Sequence, residues 1–229
     1  MEIFSSVQGE GKHAGQATTF VRFGGCNLCC SWCDEPNSIP IKRKASEART
    51  VSQILDEMNT VSKNKHVCLT GGEPLIQPIA ELVELCNILK HNKHYVSVET
   101  NGTRAPVELF NLIDMWTISP KLSSADNNVQ ITPILNNIRK IGMSTGNGSD
   151  MQLKFVIGTR EDTFDLRRYV SEFTNVPFCV QSEWIEEGDK FEPRYTMEEL
   201  KKMLTEADIP FRDREFKIGV QLHKFWAVH

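Results

Sequence analysis

The sequence predicts an α/β fold in which about six βα units form an open, partial barrel. Short apolar runs of strand length alternate with longer amphipathic stretches along the chain. This alternation favours a parallel sheet covered by helices, and the units are too few for a closed eight-stranded barrel. The predicted strands are Thr18–Phe23, His66–Thr70, Tyr95–Glu99, Met115–Ile118, Gln152–Ile157 and Phe178–Gln181.

The stretches between these strands have the periodicity of helices. The clearest example is Ile79–Lys90, where apolar residues recur at spacings of three and four and form a stripe along one face. No internal repeat or linker divides the chain, so residues 1–229 are expected to form a single domain. The predicted helices are Val51–Ser62, Ile79–Lys90, Pro106–Leu112, Ile131–Ile141, Thr163–Phe173 and Met197–Ala207.

The composition is that of an ordinary soluble protein, with 40% hydrophobic and 24% charged residues among 229. A net charge of −4 gives no electrostatic reason to expect binding to nucleic acid or to a membrane, and the basic run Lys42–Lys44 is interpreted as a solvated loop. No apolar run approaches the ~20 residues of a membrane-spanning helix, and no signal-peptide pattern is present. The seven cysteines are odd in number and partly bunched, which favours reduced thiols in a cytoplasmic protein.

The least ordinary segments of the chain directly follow the first four predicted strands. They are "GGCNLCCSWCDE" at 24–35, "TGGEP" at 70–74, "ETNG" at 99–102 and "SPK" at 119–121. Because parallel strands end at the same edge of a sheet, these four loops are expected to converge on one face. The sequence therefore predicts a reactive site at the C-terminal ends of the strands.

The first of these loops holds four cysteines within eight residues: Cys26, Cys29, Cys30 and Cys33. A zinc site would need a second pair of ligands, but the remaining cysteines are isolated in apolar runs and are expected to be core thiols. A cluster held by all four thiolates would strain the adjacent Cys29 and Cys30. Three thiolates holding a [4Fe–4S] cluster, with one iron left open, fit better.

Two spacings of three cysteines remain open on the residues alone: Cys26, Cys30 and Cys33, or Cys26, Cys29 and Cys33. The first, CxxxCxxC, resembles the signature of radical S-adenosylmethionine (SAM) enzymes, especially when it is combined with the later GGEP. The resemblance is closer still to the 7-carboxy-7-deazaguanine synthases of queuosine and 7-deazapurine biosynthesis. The matching segments are "IFSSVQGEGKHAGQATTFVRFGGCNLCCSWCD", "LTGGEPL", "VETNGT", "SPK", "QLKFV", "CVQSE" and "VQLHKFW".

This resemblance implies a partial (β/α)6-type TIM barrel of the radical SAM type, with some helices shortened. It implies that Cys26, Cys30 and Cys33 hold the cluster and that Cys29 is a bystander. SAM bound at the open iron would be cleaved to a 5′-deoxyadenosyl radical. The residues implied to contact SAM are Trp32, Asp34, Gly72, Glu73, Asn101, Ser119, Pro120, Lys121 and Gln181.

The implied substrate is 6-carboxy-5,6,7,8-tetrahydropterin, a flat molecule that carries one carboxylate. Ring contraction with loss of ammonia would give 7-carboxy-7-deazaguanine. Arg22 suits the carboxylate as a bidentate donor, although a lone charged strand residue can also face solvent. The residues implied to bind the substrate are Gln8, Gly9, Glu10, Arg22, Thr70 and His223. The family also implies a homodimer and an external one-electron reductant similar to flavodoxin or ferredoxin.

The chain departs from the family pattern at Glu35. The family usually has a threonine or serine after Cys-Asp, and that hydroxyl helps to hold Mg²⁺. A glutamate oxygen is also a ligand for hard cations, so Glu35 is given as the candidate Mg²⁺ ligand. Three alternatives stay open: Glu35 replaces the hydroxyl, binds Mg²⁺ in a different way, or points away and leaves the site metal-free.

Two other functions are compatible with the cysteines. A glycyl-radical-enzyme activase also carries CxxxCxxC, but it acts on a protein loop and has no need of the N-terminal QGEG run or of Arg22. A passive iron–sulfur or zinc module would explain the cysteines alone, but not GGEP, ETNG and SPK together.

Overall fold

An eight-stranded sheet forms the centre of the protein. The computed structural model describes residues 1–36, 48–126, 129–144, 151–187, 190–210 and 216–222. The described strands, β1 to β10 in chain order, are Glu2–Val7, Ala17–Phe23, His66–Gly71, Tyr95–Thr100, Met115–Ile118, Met151–Ile157, Phe178–Ser182, Trp184–Glu187, Lys190–Pro193 and Phe216–Ile218. The sheet order is β1-β2-β3-β4-β5-β6-β7-β10, and β8 pairs with β9 in a separate hairpin.

The six predicted strands are confirmed as β2 to β7. They are neighbours in chain order and every pair among them is parallel, as expected for consecutive right-handed βα units. The two edges close differently, since β1 is antiparallel to β2 and β10 is parallel to β7. The result is the open, partial barrel predicted from the sequence.

Helices cover the outer face of the sheet and largely match the predictions. They are α1 Val51–Val61, α2 Ile79–His91, α3 Ile131–Ser144, α4 Asp162–Glu172 and α5 Met197–Glu206. Thr50 and Thr196 begin α1 and α5 with capping boxes, in which the third helical residue bonds back to the cap. None of the helices in the described ranges is long and apolar enough to cross a membrane.

The helix predicted over Pro106–Leu112 is wrong. The structure has only a short 3₁₀ turn at Val107–Leu109. A longer helix does not fit because the chain enters β5 only a few residues after this turn. The start of β5 is held in place by Asp114, which accepts a 2.8 Å hydrogen bond from the Val96 N–H. The same carboxylate also pairs with Lys90.

The two faces of the parallel sheet differ in chemistry. Residues that point towards the helices are apolar and buried, among them Val21, Leu69, Val98 and Phe155. The alternate residues on the inner face include Arg22, Thr70, Glu99, Lys154 and Gln181. Side chains alternate between faces with a period of two, so a lumen rich in donors and acceptors is built into an otherwise apolar sheet.

The loop between β1 and β2 packs against the start of β6. The Lys12 N–H donates to Gln152 Oε1 at 2.9 Å. Gly11 has a φ of +68°, and a Cβ at this position would overlap the Gln152 amide. A glycine is therefore required for the loop to reach the inner face and to direct Glu10 into the lumen.

His66 is held neutral at the start of β3. Its Nδ1 lies 3.2 Å from Thr18 Oγ1 and its Nε2 lies 2.9 Å from Ser97 Oγ. The ring also contacts the rings of His13 and Tyr95. Burial, followed by the charge of His13, lowers the pKa of His66 to about 4.

We expect His66 to make the protein less stable as the pH falls below about 6.5, the pKa of an unperturbed histidine. Its folded pKa is depressed, so the unfolded state binds more protons in this range; the stabilisation is complete above about pH 6.5 and is lost towards pH 4. One such group contributes up to about 1.4 kcal/mol per pH unit. His66→Gln should therefore flatten the pH dependence of the free energy of unfolding between about pH 6.5 and 5, as measured by urea denaturation. The exposed control His91→Gln should not change the slope, and a wild-type slope in His66→Gln would contradict the prediction.

Candidate active site

A cavity of about 1160 Å³ opens at the C-terminal ends of the parallel strands. It is slightly larger than the roughly 300–1,000 Å³ that is typical of a pocket for a small molecule. All four loops that the sequence predicted to converge contribute to its wall. The predicted site residues in the wall are Gln8, Gly9, Glu10, Arg22, Cys26, Cys30, Trp32, Cys33, Asp34, Glu35, Thr70, Gly72, Asn101, Ser119, Lys121 and Gln181.

The structure separates the two adjacent cysteines. Cys26, Cys30 and Cys33 are partly buried and line the cavity, whereas Cys29 is exposed to solvent. The Leu28 N–H donates to Cys26 Sγ at 3.4 Å. Burial raises the pKa of Cys26 and of Cys33, so these thiols would have to release their protons in order to bind iron. Three thiols that share one wall and one solvent-facing bystander fit a [4Fe–4S] cluster with the CxxxCxxC spacing.

The cysteine loop is anchored on both sides. Asn101 donates from its amide to Asn27 Oδ1 at 3.0 Å, which ties the loop to the segment after β4. The indole N–H of Trp32 donates to Ser124 Oγ at 3.3 Å, which ties it to the segment after β5. These contacts hold the thiols in place relative to the parallel strands.

The GGEP loop approaches the cysteine loop through its backbone. Gly71 has a φ of +119°, and a Cβ there would overlap the backbone of Phe23. The Gly72 N–H donates to the Phe23 carbonyl at 3.0 Å. Glycine is required at Gly71 both for the positive φ and for the close approach.

Glu73 joins two loops through its buried side chain, and its contact with the ammonium group of SAM stays a prediction. Its carboxylate is fully buried and accepts hydrogen bonds from the N–H groups of Leu75 and Asn101 and from the Thr100 hydroxyl, at 2.8–2.9 Å. Because these donors bind both of its oxygens, Glu73 joins the GGEP and ETNG loops, and its side chain does not line the cavity. Pro120 is also buried and is not among the wall residues.

Lys121 lies over Trp32 on one side of the cavity. Its Nζ is 5.3 Å from the centre of the indole ring and 3.3 Å from Ser119 Oγ. The cation–π contact orients both side chains beside the cysteine loop.

A buried polar network fills the opposite side of the lumen and is centred on Glu10. Its carboxylate pairs with Lys154 and accepts hydrogen bonds from the amides of Gln181, at 3.1 Å, and Gln221, at 2.6 Å. The Gln221 amide also lies 3.4 Å from Asp34 Oδ2, so it connects the network to the cysteine loop. Burial alone would lower the pKa of Lys154, but the charges of Glu10 and Glu99 outweigh this effect and raise it.

Gln181 has one side-chain atom without a partner. The residue is 1% exposed, its nitrogen donates to Glu10, and its Oε1 makes no hydrogen bond within the described part of the chain. An unsatisfied buried acceptor is costly, and this one belongs to a side chain of the cavity wall. Because this oxygen is itself buried, a ligand donor would reach it only after the side chain turned towards the cavity.

Gln8, Thr70 and Glu99 form a second polar group in the lumen. Glu99 accepts a 2.9 Å hydrogen bond from the Gln8 amide and a 3.2 Å bond from the Thr70 hydroxyl. The side-chain oxygen of Gln8, Oε1, in turn accepts a hydrogen bond from the backbone N–H of Glu10 at 3.2 Å. These groups offer both donors and acceptors along one wall.

Arg22 faces the cavity rather than the bulk solvent. Its Nη1 donates to Glu35 Oε1 at 2.8 Å and to Glu2 Oε2 at 3.1 Å. Its guanidinium carbon lies 4.8 Å from the centre of the Phe4 ring. The one cationic side chain predicted to bind a carboxylate therefore already contacts two.

Sequence reasoning missed Glu99, Lys154 and Gln221 as site residues. Lys154 interrupts the apolar strand β6, and its position on the period-two face shared with Gln152 could have identified it. Glu99 and Gln221 lie inside segments singled out for their resemblance, but no local signal marks their contacts. His223 lies outside the described residues.

The fold and the cysteine loop agree with one class of enzyme. A family model of the radical SAM superfamily matches residues 20–150, more than half of the chain. The chain belongs to that superfamily.

Closer relatives narrow the assignment. The chain is 34% identical over 182 residues to the 7-carboxy-7-deazaguanine synthase of Halobacterium salinarum, covering 75% of the chain and 68% of the relative. The chain is 32% identical over 192 residues to the 7-carboxy-7-deazaguanine synthase of Bacillus subtilis, and the match covers 79% of the chain and 74% of that relative. The chain is 43% identical over 122 residues to the enzyme of the same name from Haemophilus influenzae, and this match covers 53% of the chain and 52% of that relative. Within the superfamily, the chain belongs to the family of 7-carboxy-7-deazaguanine synthases.

Solved structures agree on the fold. QueE from Escherichia coli aligns with a TM-score of 0.64 and 21% identity, covering 96% of the chain and 92% of QueE. Streptococcus suis SuiB bound to S-adenosylmethionine aligns with a TM-score of 0.62 and 16% identity, and the alignment covers 89% of the chain and 50% of SuiB.

Proposed function

We propose that the protein is a radical SAM lyase that converts 6-carboxy-5,6,7,8-tetrahydropterin to 7-carboxy-7-deazaguanine and ammonia. The observation that carries the proposal is that three cluster-competent thiols and a polar, substrate-sized lumen share one cavity. The conversion is redox-neutral overall, because the product and ammonia together contain the atoms of the substrate.

The cofactors would be held by residues of the cavity wall. Cys26, Cys30 and Cys33 would hold a [4Fe–4S] cluster, and the backbone at Gly72 is open to the cavity beside them. When bound, the cluster and SAM supply a carbon radical that abstracts hydrogen from C6 of the pterin. Gln181, a side chain of the same cavity wall, would supply its unsatisfied Oε1 as an acceptor if it turned towards a ligand donor.

The substrate would bind against the polar groups of the lumen. The alternating donors and acceptors of Gln8, Thr70 and Glu99 suit the edge of a pterin ring. The Glu10 carboxylate, which pairs with Lys154, would supply acceptor oxygens to the ring N–H groups. Arg22 would bind the substrate carboxylate.

The residues present do not build a Mg²⁺ site by themselves. Among the described residues, no three His, Cys, Asp or Glu side chains converge where a single metal ion could sit, and Glu35 is paired with Arg22. Mg²⁺ at Glu35 stays a prediction that would require ligands from the substrate, and no step is assigned to it. A homodimer and a flavodoxin- or ferredoxin-like reductant are also part of the proposal.

The proposal is tested by anaerobic turnover of the reconstituted protein with SAM, a chemical reductant and the carboxypterin, followed by mass spectrometry. We expect 7-carboxy-7-deazaguanine and 5′-deoxyadenosine, and neither without reductant. Cleavage of SAM without the deazaguanine product would indicate another radical SAM enzyme, such as a glycyl-radical-enzyme activase. Absence of SAM cleavage in cluster-containing protein would indicate a passive iron–sulfur module.

A further inference from the structure

In the proposed function, the Arg22 guanidinium binds the carboxylate of the substrate. In the structure, the same guanidinium is already paired with the carboxylates of Glu2 and Glu35. Glu35 lines the cavity with Arg22, whereas Glu2 is not among the wall residues. The Glu35 side chain is 38% exposed and that of Glu2 is 65% exposed, so solvent screens Glu2 more. Glu35 is therefore the carboxylate that a ligand meets first.

Both contacts use the same nitrogen of Arg22, which matters for how a third carboxylate could bind. A carboxylate binds guanidinium best through two parallel N–H bonds on one edge. On an edge that includes Nη1, the ligand competes with Glu35 and Glu2 for the two N–H bonds of that nitrogen. On the remaining edge it stays close to Glu35 and adds a third negative charge around one positive charge. In either arrangement the charge of Glu35 opposes an anionic ligand.

We propose that Glu35 is a resident carboxylate of the Arg22 subsite that competes with the carboxylate of the substrate and so sets the affinity for carboxylated pterins. This inference rests on the proposed function. It gives a role to the residue at which the chain departs from its family, and that role requires no metal ion. Glu35 contacts Arg22 when the subsite is empty, and its charge opposes a carboxylate that binds on either edge of the guanidinium.

Glu35→Gln tests the competition, because glutamine keeps an acceptor for Arg22 but removes the charge. Equilibrium dialysis would compare 6-carboxypterin with pterin, which differ only in the carboxylate, on cluster-containing protein with SAM and without reductant. Because a part-exposed ion pair contributes about 0.2–1 kcal/mol, the variant should bind 6-carboxypterin about 1.4- to fivefold more tightly and should bind pterin with unchanged affinity.

The control is Glu186→Gln, which removes a carboxylate of the cavity wall that makes no ion pair with Arg22 in the described structure. It should leave the ratio of the two dissociation constants unchanged. Equal changes for both pterins in Glu35→Gln would overturn the competition, and weaker binding of 6-carboxypterin would show that Glu35 positions Arg22 instead. Failure of the unchanged protein to bind either pterin would overturn the proposed function, and this inference with it.

Discussion

Cys30→Ser is expected to abolish cluster binding and turnover, whereas Cys29→Ser is expected to retain both. The structure places Cys30 on the cavity with Cys26 and Cys33, and Cys29 on the solvent side. A serine hydroxyl is a hard and mostly protonated group, so it replaces a thiolate poorly as a ligand of an iron–sulfur cluster. The measurements are iron and sulfide content after anaerobic reconstitution and the yield of 5′-deoxyadenosine.

The pair is internally controlled, because the two variants differ only in which of two adjacent sulfurs is lost. Circular dichroism of both variants would show that neither change unfolds the chain. Loss of iron in Cys29→Ser with retention in Cys30→Ser would mean that the ligands follow the spacing Cys26, Cys29 and Cys33. Retention in both would contradict a three-thiolate cluster at this loop.

The parallel core of the fold was predictable because its signals are local. Strands β2 to β7 are buried on both faces or alternate in polarity, and each is followed by a loop or an amphipathic stretch of recognisable composition. Strands β1 and β10 were missed for a physical reason. Both are edge strands, and β10 has only three residues, too few to show a periodicity. Their formation depends on the pairing with β2 and β7.

The candidate site was most predictable where it lies on loops, although Arg22, Thr70 and Gln181 on the strands were also predicted. The cysteine and GGEP loops carry residue types that the local chain does not otherwise require. The Glu10 network instead joins Lys154, Gln181 and Gln221, which are 144, 171 and 211 positions away along the chain. Such contacts are a property of the assembled barrel. The burial of Glu73 was unpredictable for the same reason, because its partners include groups on the next strand and loop.

Lys154→Met is expected to destabilise the protein strongly and to disorganise the substrate side of the cavity. Lys154 is 9% exposed, and methionine has a similar length but leaves Glu10 buried without a cation. Breaking a buried pair typically costs about 3–5 kcal/mol, and about 3 kcal/mol is expected here because two glutamine amides still bind Glu10. The free energy of unfolding is measured by urea denaturation. The exposed control Lys140→Met should change it by less than about 0.5 kcal/mol.

A double variant, Glu10→Gln with Lys154→Met, separates the lost pair from lost packing. If the cost arises from an uncompensated buried carboxylate, removing that charge as well should restore much of the stability that Lys154→Met loses. Additive losses would show instead that Lys154 stabilises through its aliphatic stem. The recovered double variant is nevertheless expected to bind pterins poorly, because the neutral amide at position 10 no longer offers an anionic acceptor for ring N–H groups. Stability restored without binding would therefore show that the ion pair serves the site rather than the fold.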